Sequence, residues 1–506
     1  MKKLLIALLS VPLLFAFSSC GQTEESSDPN SSQAEPEGEN ATAGENTSAN
    51  DDQSGAQPHT HTPESAVNEN VIDATCQKEG SYDEVVYCSE CGDELSRTTK
   101  SKTVTAHKYN NNICIYCGTK NPSDGLEFTS NGNGTCFVSG LGSYKDRDVV
   151  IPDVSPYGDT VTGIASSAFY NCIGINSIQI PNTVKSIGDS AFSYCLNLQS
   201  IIISDNLTSL GSSAFAGCDS LKYNEHEGMY YLGGESNPYL IFIKPKDKTK
   251  TSYELNENTV FINNHAFSYC KNLTSLVIHD GITSIGSDAF QQCSALTSIT
   301  LSENLTVISD NTFVHCGKLE SISIPDKVTS IGSGAFSFCN SLKSINLGNG
   351  LTSIGDNAFY YCKNITDITL PDSVTTIGDG AFTNCSGLTN ITLPDGITSI
   401  EDGTFKNCTK LEAIILPKRV TSIGYMAFDN CTALTSITIP GSVTSIGRYA
   451  FNYCTELTSV IFENTVGWRY FTLVSDTTGT SVDVTCASEN AESLKQAYIS
   501  YTWKRN

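Results

Sequence analysis

The amino-acid sequence predicts a β-rich α/β solenoid of stacked 23-residue coils, preceded by a small module of cysteines and histidines. Three observations carry the prediction. Cysteines fall at 172, 195 and 218, then at 270, 293, 316, 339, 362, 385, 408, 431 and 454, and every step but one is 23 residues. Around each of them the same text returns, as in Val328-Thr329-Ser330-Ile331-Gly332-Ser333-Gly334-Ala335-Phe336-Ser337-Phe338-Cys339 followed by Leu342, Ser344, Ile345 and Leu347. Within each unit a short alternation, Ile322 and Ile324 ended by Pro325, has the period of a strand with one buried face.

Taken from the start of the chain, residues 1–20 read as an export signal. Lys2 and Lys3 precede an apolar run from Leu4 to Phe17 that is short for a membrane span, and Ser18-Ser19-Cys20 follows. This arrangement resembles the bacterial lipoprotein signal, although Phe17 stands where that family prefers Leu. The resemblance implies that Cys20 is acylated and that the body is exported and held at the cell surface by lipid alone. Residues 21–70 carry eleven acidic residues and no Lys or Arg. They read as a disordered acidic tether, too polar to bury a core and self-repelling. Of the formal charge of −24, the signal contributes +2, the tether −11 and residues 71–506 the remaining −15. With no basic run in tether or repeats, nucleic acid is excluded as a partner.

Residues 71–121 form the cysteine and histidine module: Cys76, Cys88-Ser89-Glu90-Cys91-Gly92, His107 and Cys114-Ile115-Tyr116-Cys117-Gly118. Each Cys-x-x-Cys-Gly run can place two thiolates on one turn, with the glycine letting the backbone fold toward sulfur, which is the spacing of a structural zinc knuckle. Two ligand sets compete. Four cysteines can share one zinc, or His61 or His59 joins Cys76, Cys88 and Cys91 while His107 joins Cys114 and Cys117. The second set resembles the zinc-ribbon-like His and Cys-x-x-Cys-Gly modules that accompany repeats in secreted bacterial proteins. Disulfides are the alternative in an exported chain. A dithiol enzyme would need this pair to open a helix in a βαβ unit, and the pattern is absent.

Residues 122–160 lose the period but stay β-like, and are expected to cap the solenoid of residues 161–462. In each coil the strand is followed by a turn at Gly332 and a short helical turn, capped by Ser333 or its counterpart Asp189, that brings Ala335, Phe336 and Cys339 inward. One coil alone cannot offset its ordering entropy, so stability must come from stacking on neighbours. The run Ile-Gly-x-x-Ala-Phe-x-x-Cys-x-x-Leu-x-x-Ile-x-Ile-Pro resembles the BspA-type leucine-rich repeats of bacterial and protist surface proteins, over about residues 125–465. That resemblance implies a non-enzymatic, adhesin-like role toward host, matrix or neighbouring-cell proteins. The step from Cys218 to Cys270 is 52 residues and contains two apolar runs about a Gly-rich turn, Met229–Leu232 and Tyr239–Ile243. It is expected to be a β-hairpin projecting near residues 222–258, either as a ligand-contacting flap or as a spacer. Residues 463–506 should form a C-terminal β cap.

Outward strand positions read Thr297, Ser298 and Thr300, then Glu320, Ser321 and Ser323, then Lys343, Ser344 and Asn346, and later Thr435, Ser436 and Thr438. Such a face offers donors and acceptors without fixed charge, and suits broad polar contacts with a protein or with cell-wall glycan. Tyr194, Tyr269, Phe338, Tyr361 and Tyr453 share the place before the repeat cysteine, as contact anchors or as packing between coils. The cysteines themselves read as small buried core residues with intact thiols. The histidines are scattered, and no catalytic constellation can be assembled from them.

Overall fold

The computed structural model describes residues 62–72, 80–102, 109–110, 113–114, 125–471, 478–497 and 501–505. Chain contacts divide the protein into two units, Met1–Asp124 and Gly125–Asn506.

In the first unit, strands Val67–Ile72, Gly80–Tyr87 and Glu94–Lys102 form an antiparallel three-stranded sheet. Its first strand begins inside the stretch expected to be a tether, because Val67 pairs with Val85 and Asn68 with Glu84. Arg97 ties the three strands together on one face, bonding Glu69 at 2.9 Å, Asp83 at 3.1 Å and Glu94 at 2.7 Å. A second, shorter pair joins Tyr109–Asn110 to Ile113–Cys114.

The second unit is a β-solenoid of about 14 turns with a 23-residue period. Successive coils lie in register, Ser177 opposite Ser200 and Ile178 opposite Ile201 on one wall, Ser186 opposite Ser209 and Ile187 opposite Leu210 on another. From Ser275 to Thr392 each three-residue strand buries its middle residue and exposes the two beside it, as in Ser321–Ser323 and Ser344–Asn346. Inside, the phenylalanines stack coil upon coil; from Phe267 to Phe451 neighbouring ring centroids are 5.1–5.7 Å apart and nearly parallel.

The segment expected to be a short helical turn is something else. Ala335, Ser337 and Cys339 donate their N–H groups back to Gly332, Gly334 and Phe336 of their own coil. The alternate residues Gly334, Phe336 and Phe338 donate instead to Asp356, Ala358 and Tyr360 of the next coil. Every second amide therefore leaves the coil, which a helix does not permit. The alternation needs two left-handed residues per coil, supplied here by Gly334 and Phe338 at φ 62° and 61°. The expected cap acts between coils as well: the Asp189 carboxylate accepts from the Ser212 N–H at 2.6 Å, and the Ser333 N–H donates to Asp310 at 2.7 Å.

The irregular step holds the expected hairpin, with Met229–Leu232 antiparallel to both Asn224–His226 and Ile241–Pro245. It does not simply project. Ile241–Pro245 also runs parallel to Phe261–Ile262, which pairs in turn with Ser284–Ile285, so one arm of the hairpin is a rung of the solenoid. Tyr231 and Phe242 are fully buried, and the Phe242 ring stacks on Phe267 at 4.7 Å. An apolar face this large reaches its lowest free energy against the neighbouring coils rather than in water.

Both ends are covered. Glu127–Ser130 and Thr135–Gly140 form an antiparallel pair whose second strand joins Thr160–Ile164 in parallel. At the other end, Thr502–Arg505 runs antiparallel to Ser445–Ile446 and to Trp468–Phe471, burying Trp468 and Trp503. This cap also contains a helix, Ala487–Glu492, absent from the sequence reading. Its Asn490 amide donates to the carbonyls of Val460 and Val484 at 3.0 and 2.8 Å. Among the described residues no helix is long and apolar enough to cross a membrane.

Candidate binding surface

The strand wall is a periodic surface, its strands repeating in register from coil to coil. Each of the twelve outward positions expected from the sequence, from Thr297 to Thr438, is exposed. They differ in how much of their chemistry is still available. Thr297 donates its hydroxyl to the Thr274 carbonyl at 3.0 Å, and the same bond recurs from Thr274 to Thr251, from Thr389 to Thr366 and from Thr458 to Thr435. These threonines hold coil to coil. The serines and asparagine beside them line a shallow groove of about 770 Å³ that includes Ser298, Ser321, Ser323, Ser344, Asn346 and Thr369. Where the wall carries an ion pair, as between Lys343 and Glu320 at 3.0 Å, it joins adjacent coils on the exposed face.

The position before the cysteine is left-handed in every regular coil. Tyr194, Tyr269, Phe338, Tyr361 and Tyr453 adopt φ of 60°, 64°, 61°, 63° and 55°, where Asn384, Asn407 and Asn430 stand in other coils. Asparagine tolerates that backbone, whereas a bulky ring is strained in it. The strain is offset by stacking where rings adjoin. His315 lies on Phe338 at 4.4 Å, Phe338 on Tyr361 at 5.1 Å, and the Lys363 ammonium sits 4.8 Å above Tyr361. Packing between coils therefore accounts for these three, while Tyr453, 67% exposed, stands further out.

The repeat cysteines are buried, and from Cys195 onward they are thiols rather than disulfides. Each is more than an apolar filler. The Cys362 Sγ–H donates to the Phe336 carbonyl at 3.1 Å, and the same bond from a cysteine to the phenylalanine 26 residues earlier recurs, as at Cys195, Cys316, Cys385 and Cys454, whereas Cys270, next to the irregular step, lies instead against the Tyr253 hydroxyl. Burial pushes the thiols at Cys339, Cys385 and Cys454 up to about 12.

In the first unit Cys88 is buried and Cys91 exposed on one turn, closed by the Gly92 N–H to the Cys88 carbonyl at 2.9 Å. Gly92 takes the left-handed φ of 77° that the knuckle spacing requires. A backbone hydrogen bond at Asp93 pulls the Cys91 thiol down, but desolvation, the Asp93 carboxylate and Cys88 together raise it to about 11. Cys114 is described through its backbone alone, in the pair with Tyr109. Cys20, His59, His61, Cys76, His107 and Cys117 lie outside the described residues. Among the described residues no three His, Cys, Asp or Glu side chains come together to hold a metal ion. The other histidines are occupied structurally: the His226 ring lies 4.9 Å from Tyr239, and His279 is hydrogen-bonded to Asn256 and Gly281.

Residues 154–234, 260–389 and 375–472 match the BspA type leucine rich repeat region, in six copies. The chain belongs to the BspA-type leucine-rich repeat family. Among solved structures, a leucine-rich repeat protein from Bacteroides ovatus is 29% identical, over 67% of this chain and 87% of its own, with a TM-score of 0.35. A leucine rich cell surface protein from Faecalibacterium prausnitzii is 26% identical, over 72% of this chain and 96% of its own, with a TM-score of 0.32. The pneumococcal vaccine antigen PcpA is 17% identical, over 72% of this chain and 100% of its own, with a TM-score of 0.26. No curated protein matches the chain. In BspA-type terms, the sequence identified the repeat, its buried layer and its outward face. It missed the thiol hydrogen bonds, since the two partners sit in adjacent coils 26 residues apart, and it missed a cleft beside the hairpin, whose signal was the break in period itself.

Proposed function

We propose that this chain is an exported, lipid-anchored binding protein whose strand wall engages proteins on host, matrix or neighbouring cells. The observation that carries this reading is the exposed column of hydroxyl and amide side chains, repeated coil after coil over a core whose thiols are buried and hydrogen-bonded. Interfaces draw affinity from broad complementarity more than from one group, and a rigid periodic wall provides breadth at little ordering cost. Surface retention of proteins from a matrix extract by the full chain tests it. The double variant Ser298→Glu/Ser344→Glu, two coils apart in the groove, should lose retention at an unchanged melting temperature; undiminished retention places the contact elsewhere. The hydroxyl- and amide-lined groove also favours a second reading, a scaffold for cell-wall glycan, and sedimentation with purified wall separates the two.

Anchoring rests on Cys20, and Cys20→Ala should abolish incorporation of labelled fatty acid. For the module we infer structural zinc, held by Cys88 and Cys91 with Cys76 and His61 or His59, and by Cys114 and Cys117 with His107. The left-handed Gly92 and the paired cysteines on one turn support it. Elemental analysis of the full chain should find about one or two zinc, falling in Cys88→Ser. We read the protein as a non-enzyme, because the turn carrying Cys88 and Cys91 joins two antiparallel strands, Gly80–Tyr87 and Glu94–Lys102, where a dithiol redox pair opens a helix in a βαβ unit. Insulin reduction that vanishes with Cys88→Ser would overturn that reading.

A further inference from the structure

The irregular step opens a cleft as well as adding a hairpin. In a regular coil, three residues of strand would stand 23 positions before the Ser275–Val277 strand, where Ser252, Tyr253 and Glu254 lie. The Thr274 N–H still bonds the Thr251 carbonyl at 2.9 Å, so the coil begins in register. Beyond that bond no strand forms, and the hairpin residues Glu227 and Met229 close the far side. The result is a cleft of about 640 Å³, within the range of about 300–1,000 Å³ typical of ligand sites.

Its lining joins two chemistries. Met229, Leu255 and Val277 give it an apolar part, and Val277 is 66% exposed at a position where the central coils carry Thr300, Ser323 and Asn346. Glu227, Glu254 and Glu257 give it carboxylates, against Lys250 alone. His279 is held in place at the edge of the cleft, hydrogen-bonded through Nδ1 to the Gly281 N–H and through Nε2 to the Asn256 carbonyl. An exposed β-branched residue beside an excess of carboxylates suits a partner that brings an apolar side chain and a cation together.

We propose that this cleft is the specific docking site for an extended peptide segment of the partner, one that carries a basic side chain two residues from an apolar one, so that both face the cleft. The apolar side chain covers Val277 between Met229 and Leu255, and the basic one meets Glu254 and Glu257. The strand beside the cleft favours an extended ligand, because strand-like peptides present side chains at a matching period. The proposal rests on the protein-binding reading and narrows it to a place and a ligand chemistry.

The test measures binding of three labelled synthetic peptides to the full chain by fluorescence anisotropy: repeats of Lys-Ser-Leu-Ser, of Lys-Ser-Ser-Ser and of Glu-Ser-Leu-Ser, in which the first and third residues share one face. The Lys and Leu peptide should bind best, weakening as salt is raised. Glu254→Gln/Glu257→Gln and Val277→Ser, all exposed positions, should each weaken it about tenfold or more with the melting temperature unchanged. Equal binding of all three peptides, or undiminished binding by both variants, overturns the cleft. If the variants also retain matrix-extract proteins as the parent does, the cleft fails while the wider surface reading stands; if the parent retains none, both fail.

Discussion

At the scale of single residues, the repeat cysteine performs two tasks that no other small side chain combines. Its sulfur is fully buried in the core, and its proton reaches the carbonyl of Phe336 in the case of Cys362. That carbonyl already accepts the Cys339 N–H at 3.1 Å, so the thiol uses its second lone pair. Cys362→Ala should cost about 1–2 kcal/mol, from the lost bond and the vacated volume. Cys362→Ser keeps a donor and should fall between Ala and the parent in thermal melts; an alanine variant as stable as the parent would sink this account. The raised thiols also set an alkaline limit. A cysteine in the unfolded chain loses its proton near pH ~8.5, whereas Cys339, Cys385 and Cys454 hold theirs to about 12. The folded state binds more protons in that window, so stability is complete below pH ~8.5 and declines as pH rises toward 12, by about 1.4 kcal/mol per pH unit for each such thiol. Melting temperature measured from pH 8 to pH 11 should drop steeply, and less steeply in Cys385→Ser.

At the scale of the coil, stacking distance governs which residues are allowed. Gly332 was expected to relax a tight turn, yet its φ is unremarkable and the need for glycine comes from closeness. A Cβ there would lie 2.6 Å from the Asp310 backbone nitrogen and 2.8 Å from the Ser309 carbonyl carbon, both in the preceding coil. Gly332→Ala must push two coils apart and should cost about 1–3 kcal/mol. Gly317, with nothing within 4 Å of an added Cβ, is the matched control, and Gly317→Ala should stay within about 0.5 kcal/mol of the parent. Equal effects of the two substitutions in denaturant titrations would show that inter-coil contact is not what selects glycine. The same scale explains the hairpin. Its two apolar runs and the turn between them were legible, but whether it stood free or joined the wall depended on a parallel pairing with Phe261–Ile262 that no local pattern announces.

At the scale of the whole solenoid, each coil is stabilised by its neighbours, so the ends decide how the body opens. Trp503 is 1% exposed and Phe462 5%, with ring centroids 6.4 Å apart across the last coils. Trp503→Ala should cost about 3–5 kcal/mol and expose the C-terminal coils first. Hydrogen exchange should then quicken in the strands Ser436–Ile439 and Ser459–Phe462 and remain slow in Ser298–Thr300, many coils away. Uniform acceleration along the chain would mean that the solenoid opens as one unit, against nearest-neighbour stability.

The 23-residue period, the buried layer of Leu, Ile, Ala, Phe and Cys, and the outward row of hydroxyls followed from sequence alone, because periodic burial is written into periodic residue types. Tertiary structure decided what two coils do to each other: that half the turn amides cross to the next coil instead of closing a helix, that glycine is needed for approach, and that thiols are donors. It also decided that a hairpin arm becomes a rung and that a cleft opens where the period breaks. Those outcomes depend on distances between residues 20 to 30 positions apart, and hydrogen bonds of that kind leave no local mark in the chain that makes them.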